Sequence, residues 1–164
     1  VVAARYPEQV RAIVLEDPPL LRLGQGPTEQ QQAQVRQWLL DLRQLPRDER
    51  IRRGMAANPG WVEEELVPWA DAKDEVDLEV MEYFGVPATY PWQDALPRIS
   101  CSILLITGDT ERGAVVTPEV AGEAAKLWRD GRVAHIAGAG HSIHRDRYEE
   151  TMAAARAFLA THPG

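Results

Sequence analysis

The chain has little of three things that would each indicate a particular class of protein: cysteine, positive charge and long apolar runs. Its one cysteine, Cys101, allows no internal disulfide and requires no oxidising compartment, so we expect a cytoplasmic protein. A net charge of −7 repels phosphate groups, which argues against nucleic acid and membrane surfaces as partners. No apolar run approaches the length of a membrane span.

Serine is also scarce, and this matters because the chain carries what resembles half of a catalytic site. Ala137-Gly138-Ala139-Gly140-His141 follows an apolar run, which predicts a histidine on a glycine turn at a strand end. An earlier run, Ser102–Thr107, ends in Gly108-Asp109-Thr110-Glu111. Acid and then histidine is the later part of the order Ser…Asp/Glu…His. None of the serines, at positions 100, 102 and 142, is in a strand–turn–helix elbow, so the pattern predicts a base without its nucleophile.

The order of apolar runs predicts an α/β protein interrupted by a helical segment. The segment Arg11–Asp17 is predicted to be a strand. Its continuous apolar core is typical of a parallel sheet covered on both faces. Residues 20–96 contain no convincing strand and carry apolar residues at helical spacing. After Pro97 the alternation of strand and helix resumes. We therefore predict an incomplete α/β core from residues 1–19 and 97–164, with a three-stranded parallel sheet, and a helical cap from residues 20–96.

Three segments carry a resemblance to the C-terminal portion of the α/β-hydrolase fold. Tyr6–Leu15 resembles the helix after the nucleophile elbow and the sixth strand. Leu104–Glu111 resembles the seventh strand with its acid turn, and Gly138–Ile143 resembles the histidine loop after the eighth. Residues 20–96 fall where this family inserts its cap. The resemblance implies that the G-x-S-x-G elbow precedes Val1 by roughly seven or eight residues, and it implies no cofactor.

The same resemblance assigns roles to the polar residues at the strand ends. His141 would be the general base. For the acid that orients it, Glu111 is favoured, since it stands three residues after the glycine that ends the strand, and Asp109 is close behind. Asp17 is a third possibility, because some members carry the acid after the sixth strand, although bonding backbone amides beside Pro18 is its expected role.

Two other polar residues have simpler interpretations. His141-x-x-His144 with Asp146 is too small a cluster for a zinc site, so no metal is expected. Cys101 precedes a strand instead of following one, and we expect a small buried apolar side chain there.

The aromatic residues suggest where a substrate would bind. Four of the five tryptophans, Trp38, Trp61, Trp69 and Trp92, fall in the predicted cap, where they would line an apolar pocket or hold the small cap onto the core. We expect a small apolar substrate.

The resemblance implies a hydrolase that cleaves an ester, amide or related bond, through either a serine or an aspartate nucleophile. Because the nucleophile is absent, the chain alone is expected to be inactive. The alternative is a non-catalytic fragment or subunit. Either version predicts self-association or pairing with the missing N-terminal half.

Overall fold

The protein forms two compact units in the computed structural model, which describes residues 1–22, 24–80 and 91–161. The first unit comprises Val1–Arg22 and Tyr90–Gly164, and the second comprises Leu23–Thr89. Within the described ranges, no helix combines the length and the apolar character needed to cross a membrane.

The first unit is built on a three-stranded parallel sheet in the order β1 (Ala12–Glu16), β2 (Ser102–Thr107), β3 (Gly131–His135). In the pairing of β1 with β2, Ala12 lies opposite Ser102. In the pairing of β2 with β3, Thr107 lies opposite His135. The central strand is buried along its whole length, as its uninterrupted apolar sequence predicts. The α/β class and the three-stranded parallel sheet are therefore confirmed.

Alternate residues of β2 point to opposite faces of the sheet, so its apolar sequence presents apolar side chains on both faces. Helices cover both of these faces. Ile103 packs with residues of α1 (Val2–Arg5), α5 (Trp92–Ala95) and α6 (Pro118–Ala125). Leu104 and Ile106 pack instead with residues of α7 (Ile143–Asp146) and α8 (Tyr148–Ala160). Short 3₁₀ turns occupy Pro7–Gln9, Leu96–Arg98 and Thr110–Arg112. This packing brings the carboxyl ends of all three strands to one rim.

The second unit is helical in its described part, with α2 (Glu29–Arg43), α3 (Arg47–Ala57) and α4 (Glu63–Glu75). A capping box starts α2: Thr28 Oγ1 accepts the Gln31 N–H at 3.2 Å, and Gln31 Oε1 accepts the Thr28 N–H at 2.8 Å. Leu66 and Ala70 of α4 are fully buried. Residues 81–90, which belong to the predicted cap, lie outside the described residues.

Candidate active site

His141 lies at the rim of the sheet, in the loop after β3, and its imidazole is paired with a buried carboxylate. Its Nδ1 is 2.8 Å from Asp17 Oδ2. The His141 side chain is 60% exposed, whereas that of Asp17 is 0% exposed. An ionised carboxylate can only accept, so Nδ1 carries the proton in this bond.

Asp17 is held in place by the backbone around it. It directly follows β1, with φ 37°, a left-handed conformation that aspartate tolerates better than most residues. Its Oδ1 accepts the Val116 N–H at 2.9 Å, and its Oδ2 accepts the Val115 N–H at 2.8 Å. Its own N–H donates to Ile106 O at 2.9 Å. These contacts fix the carboxylate, which in turn fixes the ring plane of His141.

The structure therefore pairs His141 with a different acid from the two that the sequence favoured. Glu111 lies on the exposed turn Thr110–Arg112. Asp109 is engaged elsewhere: its Oδ2 accepts the Gly138 N–H at 2.7 Å, and its Oδ1 is 3.0 Å from His135 Nε2. The predicted pairing of His141 with Glu111 or Asp109 is corrected to Asp17. Asp17 does bond backbone amides, as expected, but those of Val115 and Val116.

Two loops meet at close quarters beside this pair. The Asp109 N–H donates to Ala139 O at 2.7 Å, which joins the loop after β2 to the histidine loop. A Cβ on Gly108 would lie 2.5 Å from Ala139 O, and a Cβ on Gly140 would collide with the carbonyl oxygen of Arg112. A side chain at either glycine would therefore clash with backbone atoms. The loop that carries His141 packs directly against the backbone of the loop after β2.

The four tryptophans proposed to bind substrate are in different environments. Trp38 and Trp69 pack together with ring centroids 6.4 Å apart, and Lys73 Nζ lies 5.3 and 4.7 Å from the two centroids. This arrangement joins α2 to α4. Trp61 is half-buried just before α4.

Trp92 requires a correction. It is only 8% exposed and belongs to the core of the first unit, with Leu96, Ile99 and Ile103. Trp92 therefore lies in the same apolar core as Ile103 of β2 and not with the other three tryptophans.

An apolar cavity of about 370 Å³ lies between α6 and the ends of β2 and β3. Its walls come from α6, from Val133 and His135 of β3, from Val116 before α6, and from the end of β2 at Thr107 and Gly108. His141 is not among its lining residues, so the cavity is separate from the His141–Asp17 pair.

The metal interpretation of His144 finds no support in the geometry. Its Nδ1 lies 2.7 and 2.9 Å from the two carboxylate oxygens of Glu16. Across the described residues, no group of three or more histidine, cysteine, aspartate or glutamate side chains is arranged to hold a metal ion.

Cys101 is expected to react slowly with thiol reagents. It is half-buried before β2, and desolvation raises the pKa of its thiol, which lowers the thiolate fraction at any given pH. The measurement is the rate of reaction with a disulfide reagent at about pH 8, where a free cysteine is substantially ionised. A rate equal to that of free cysteine would contradict the assignment of Cys101 as a packing residue.

Comparison with known proteins identifies the fold. A family model described as the alpha/beta hydrolase family matches residues 1–155. Similar solved structures include an esterase from Mycobacterium tuberculosis (18% identity, TM-score 0.66, covering 97% of this chain and 57% of that chain). They also include N-formylmaleamic acid deformylase from Pseudomonas putida S16 (17%, 0.61, 93% and 59%) and proline iminopeptidase from Mycobacterium smegmatis (18%, 0.59, 98% and 60%).

The chain spans about three-fifths of the length of these three structures, and no curated protein matches it. At such low identities the structural likeness establishes the fold alone. The family model establishes membership, because it covers nearly the whole chain. The sheet order, the histidine loop and the family match thus agree, and the chain belongs to the alpha/beta hydrolase family.

Proposed function

We propose that this chain contributes the base and the acid of a nucleophile–histidine–acid triad that hydrolyses an ester, amide or related bond. His141 is the base and Asp17 is the acid. The observation that carries the proposal is the 2.8 Å contact between a half-exposed imidazole and a fully buried carboxylate. A buried, backbone-anchored carboxylate behind an accessible histidine is the arrangement that general-base catalysis requires.

The chemistry follows from the two ring nitrogens. With Nδ1–H directed at Asp17, Nε2 would accept the proton of a serine nucleophile as it attacks the scissile carbonyl, and would return that proton to the leaving group. The imidazolium formed in between is stabilised by the Asp17 carboxylate at 2.8 Å. With an aspartate nucleophile, Nε2 would instead activate the water that cleaves the covalent intermediate.

The nucleophile itself is proposed to lie outside these 164 residues. Ser102 is buried in β2 and donates its hydroxyl to Asp130. Ser142 is the residue before the single-turn helix α7, and Ser100 precedes β2. None of these positions is a strand–turn–helix elbow, so each serine lacks the geometry of an activated nucleophile.

The substrate class is proposed from the same chemistry. The similar structures include a deformylase, an iminopeptidase and an esterase, and the bonds that such enzymes cleave share an acyl carbon open to attack. We propose a small, largely apolar acyl substrate for this family member.

The test uses the longest reading frame that contains this chain, called here the parent protein. We expect the parent to hydrolyse nitrophenyl acetate or a longer nitrophenyl ester, and His141→Ala to abolish turnover. The 164-residue chain alone is expected to show no turnover, because its described residues present no elbow serine. Hydrolysis by the chain alone, lost in His141→Ala, would overturn the proposed missing nucleophile. If the parent protein hydrolyses none of a panel of esters and amides, the non-catalytic alternative is favoured.

The sheet gives that alternative a physical basis. Among the residues that the structure describes, β1 pairs with β2 alone, and Val14 in the middle of β1 is 38% exposed. An open parallel edge is a template for another strand. A further strand of the parent, or a second copy of the chain, would complete the sheet there, and the mass of the isolated chain in solution distinguishes a monomer from an associated form.

A further inference from the structure

The loop that carries His141 is held by carboxylates from three different parts of the first unit. Each accepts one backbone N–H of the segment from residue 138 to residue 144. The pairs are Asp109 with Gly138 at 2.7 Å, Asp146 with Gly140 at 2.7 Å, and Glu16 with His144 at 2.9 Å. Hydrogen bonds to ionised acceptors are roughly twice as strong as those between neutral groups. The loop therefore has an anchor on each side of His141.

Glu16 makes the most extensive of these contacts. Besides the His144 N–H, its two carboxylate oxygens lie 2.7 and 2.9 Å from His144 Nδ1. The side chains of Glu16 and His144 are 30% and 41% exposed, so the pair is partly shielded from solvent. One carboxylate thus holds both the backbone and the side chain of a residue three positions after His141.

Glu16 and Asp17 are consecutive, and together they hold two histidines of one loop. In an extended strand, consecutive side chains point to opposite faces. Asp17 leaves the extended conformation, with φ 37°, immediately after the strand ends at Glu16. The turn lets both carboxylates reach the loop after β3, where Asp17 contacts the His141 ring and Glu16 contacts His144.

The local structure gives the Glu16 contact mechanical importance. Helix α7 has only four residues, Ile143–Asp146, and Ser142 before it makes no side-chain cap. A helix this short is not stable by itself. The acceptor for the His144 amide comes from the end of β1, so the first turn of α7, and with it the backbone that leaves His141, is tied to the same strand end as Asp17.

We propose that Glu16 is a positioning residue for His141. It holds the first turn of α7 so that the imidazole meets Asp17 with Nδ1 and presents Nε2 outward. The inference rests on the proposed function for its catalytic consequence, whereas its structural part concerns only the state of the His141 ring. Loss of the Glu16 carboxylate would leave Asp17 intact but allow the ring to leave it.

The first test measures turnover in the parent protein. We expect Glu16→Ala to lower kcat by about 10²-fold with little change in KM, the loss typical of a 1 Å misplacement of a reacting group. Glu16→Gln keeps an oxygen acceptor for the His144 N–H and should restore most of that loss. Glu8→Gln, a matched change at an exposed site, should leave kcat unchanged. A Glu16→Ala enzyme with kcat within twofold of the original would overturn the proposal.

The second test reads the ring directly, by nitrogen NMR of His141 in the same proteins. We expect a single Nδ1–H tautomer in the original protein and in Glu16→Gln, and a tautomer mixture in Glu16→Ala. If Glu16→Ala does not fold, His144→Ala replaces it, since this variant removes the side-chain half of the contact and should give a smaller shift in the same direction. An unchanged His141 spectrum in whichever of these variants folds would contradict positioning by Glu16. If the His141 spectrum changes in Glu16→Ala but the parent protein stays active after His141→Ala, positioning by Glu16 stands and only the proposed function is contradicted.

Discussion

Replacing Asp17 with asparagine is expected to lower kcat of the parent protein by about 10⁴-fold while the fold is retained. The amide oxygen can still accept the Val116 N–H, but the NH₂ group would take the place of Oδ2, where it faces His141 Nδ1 and leaves the Val115 N–H without an acceptor. The imidazole would then accept at Nδ1 and carry its proton on Nε2, which is the wrong tautomer for a base. The loss in a serine hydrolase of known mechanism with this change is of that size.

Alanine at the same position separates catalysis from stability. Asp17→Ala leaves the N–H groups of Val115 and Val116 without their acceptor, and the unsatisfied donor at the buried Val116 alone costs roughly 1–3 kcal/mol. We expect a loss of about 3 kcal/mol in the free energy of unfolding, measured by urea denaturation, whereas Asp17→Asn should lose less than half of that. Glu111→Gln decides between the two acids: a 10⁴-fold loss in that variant, with Asp17→Asn active, would restore the assignment favoured by the sequence.

The fold was predictable because its strands have a strong local signal. Ile103, Leu104, Leu105 and Ile106 form an apolar run with no alternation, which is typical of a strand buried on both faces, and all four are almost completely buried. The glycines before His141 likewise predicted a turn at a strand end. These features depend on residues close together in the sequence, so the sequence alone was sufficient.

The carboxylate that pairs with His141 was not predictable by the same means, because the pairing depends on where a loop returns in space. Glu111 and Asp109 are nearer to His141 in sequence, but the loop after β3 crosses the end of β2 and reaches the end of β1. There Asp17 is 124 positions from its partner. A polar Glu16-Asp17 pair that ends an apolar strand was the available signal. Asp17 was expected to accept backbone amides, and it does, but the same carboxylate also contacts His141 Nδ1.

The unit to which Trp92 belongs was also not predictable from the sequence, for a different reason. Its position near the end of a helical stretch placed it with the cap tryptophans, but short helix α5 packs on the sheet of the first unit. Which unit a helix joins is decided by the apolar surface left open by the strands. Helical spacing within a few residues of a boundary does not contain that information.

The second large effect is expected at a residue with no side chain. Gly108→Ala would place a Cβ 2.5 Å from Ala139 O and 2.8 Å from Gly140 O, and neither atom can rotate away because both belong to the backbone. The two loops would have to separate, which strains the Asp109 N–H bond to Ala139 O. We expect a loss of about 3 kcal/mol in the free energy of unfolding, the upper end of the usual range for overpacking.

Gly122→Ala is the matched control, because the same substitution there meets nothing within 4 Å. Gly122 lies inside helix α6, where alanine is favoured over glycine by roughly 0.5–1 kcal/mol. Urea unfolding should therefore show a stabilised Gly122→Ala and a strongly destabilised Gly108→Ala. Because Gly108 contacts the backbone on which His141 is carried, Gly108→Ala should also broaden or shift the His141 ring signals. Equal stability of the two variants would mean that the loops after β2 and β3 do not meet as closely as the hydrogen bond from Asp109 requires.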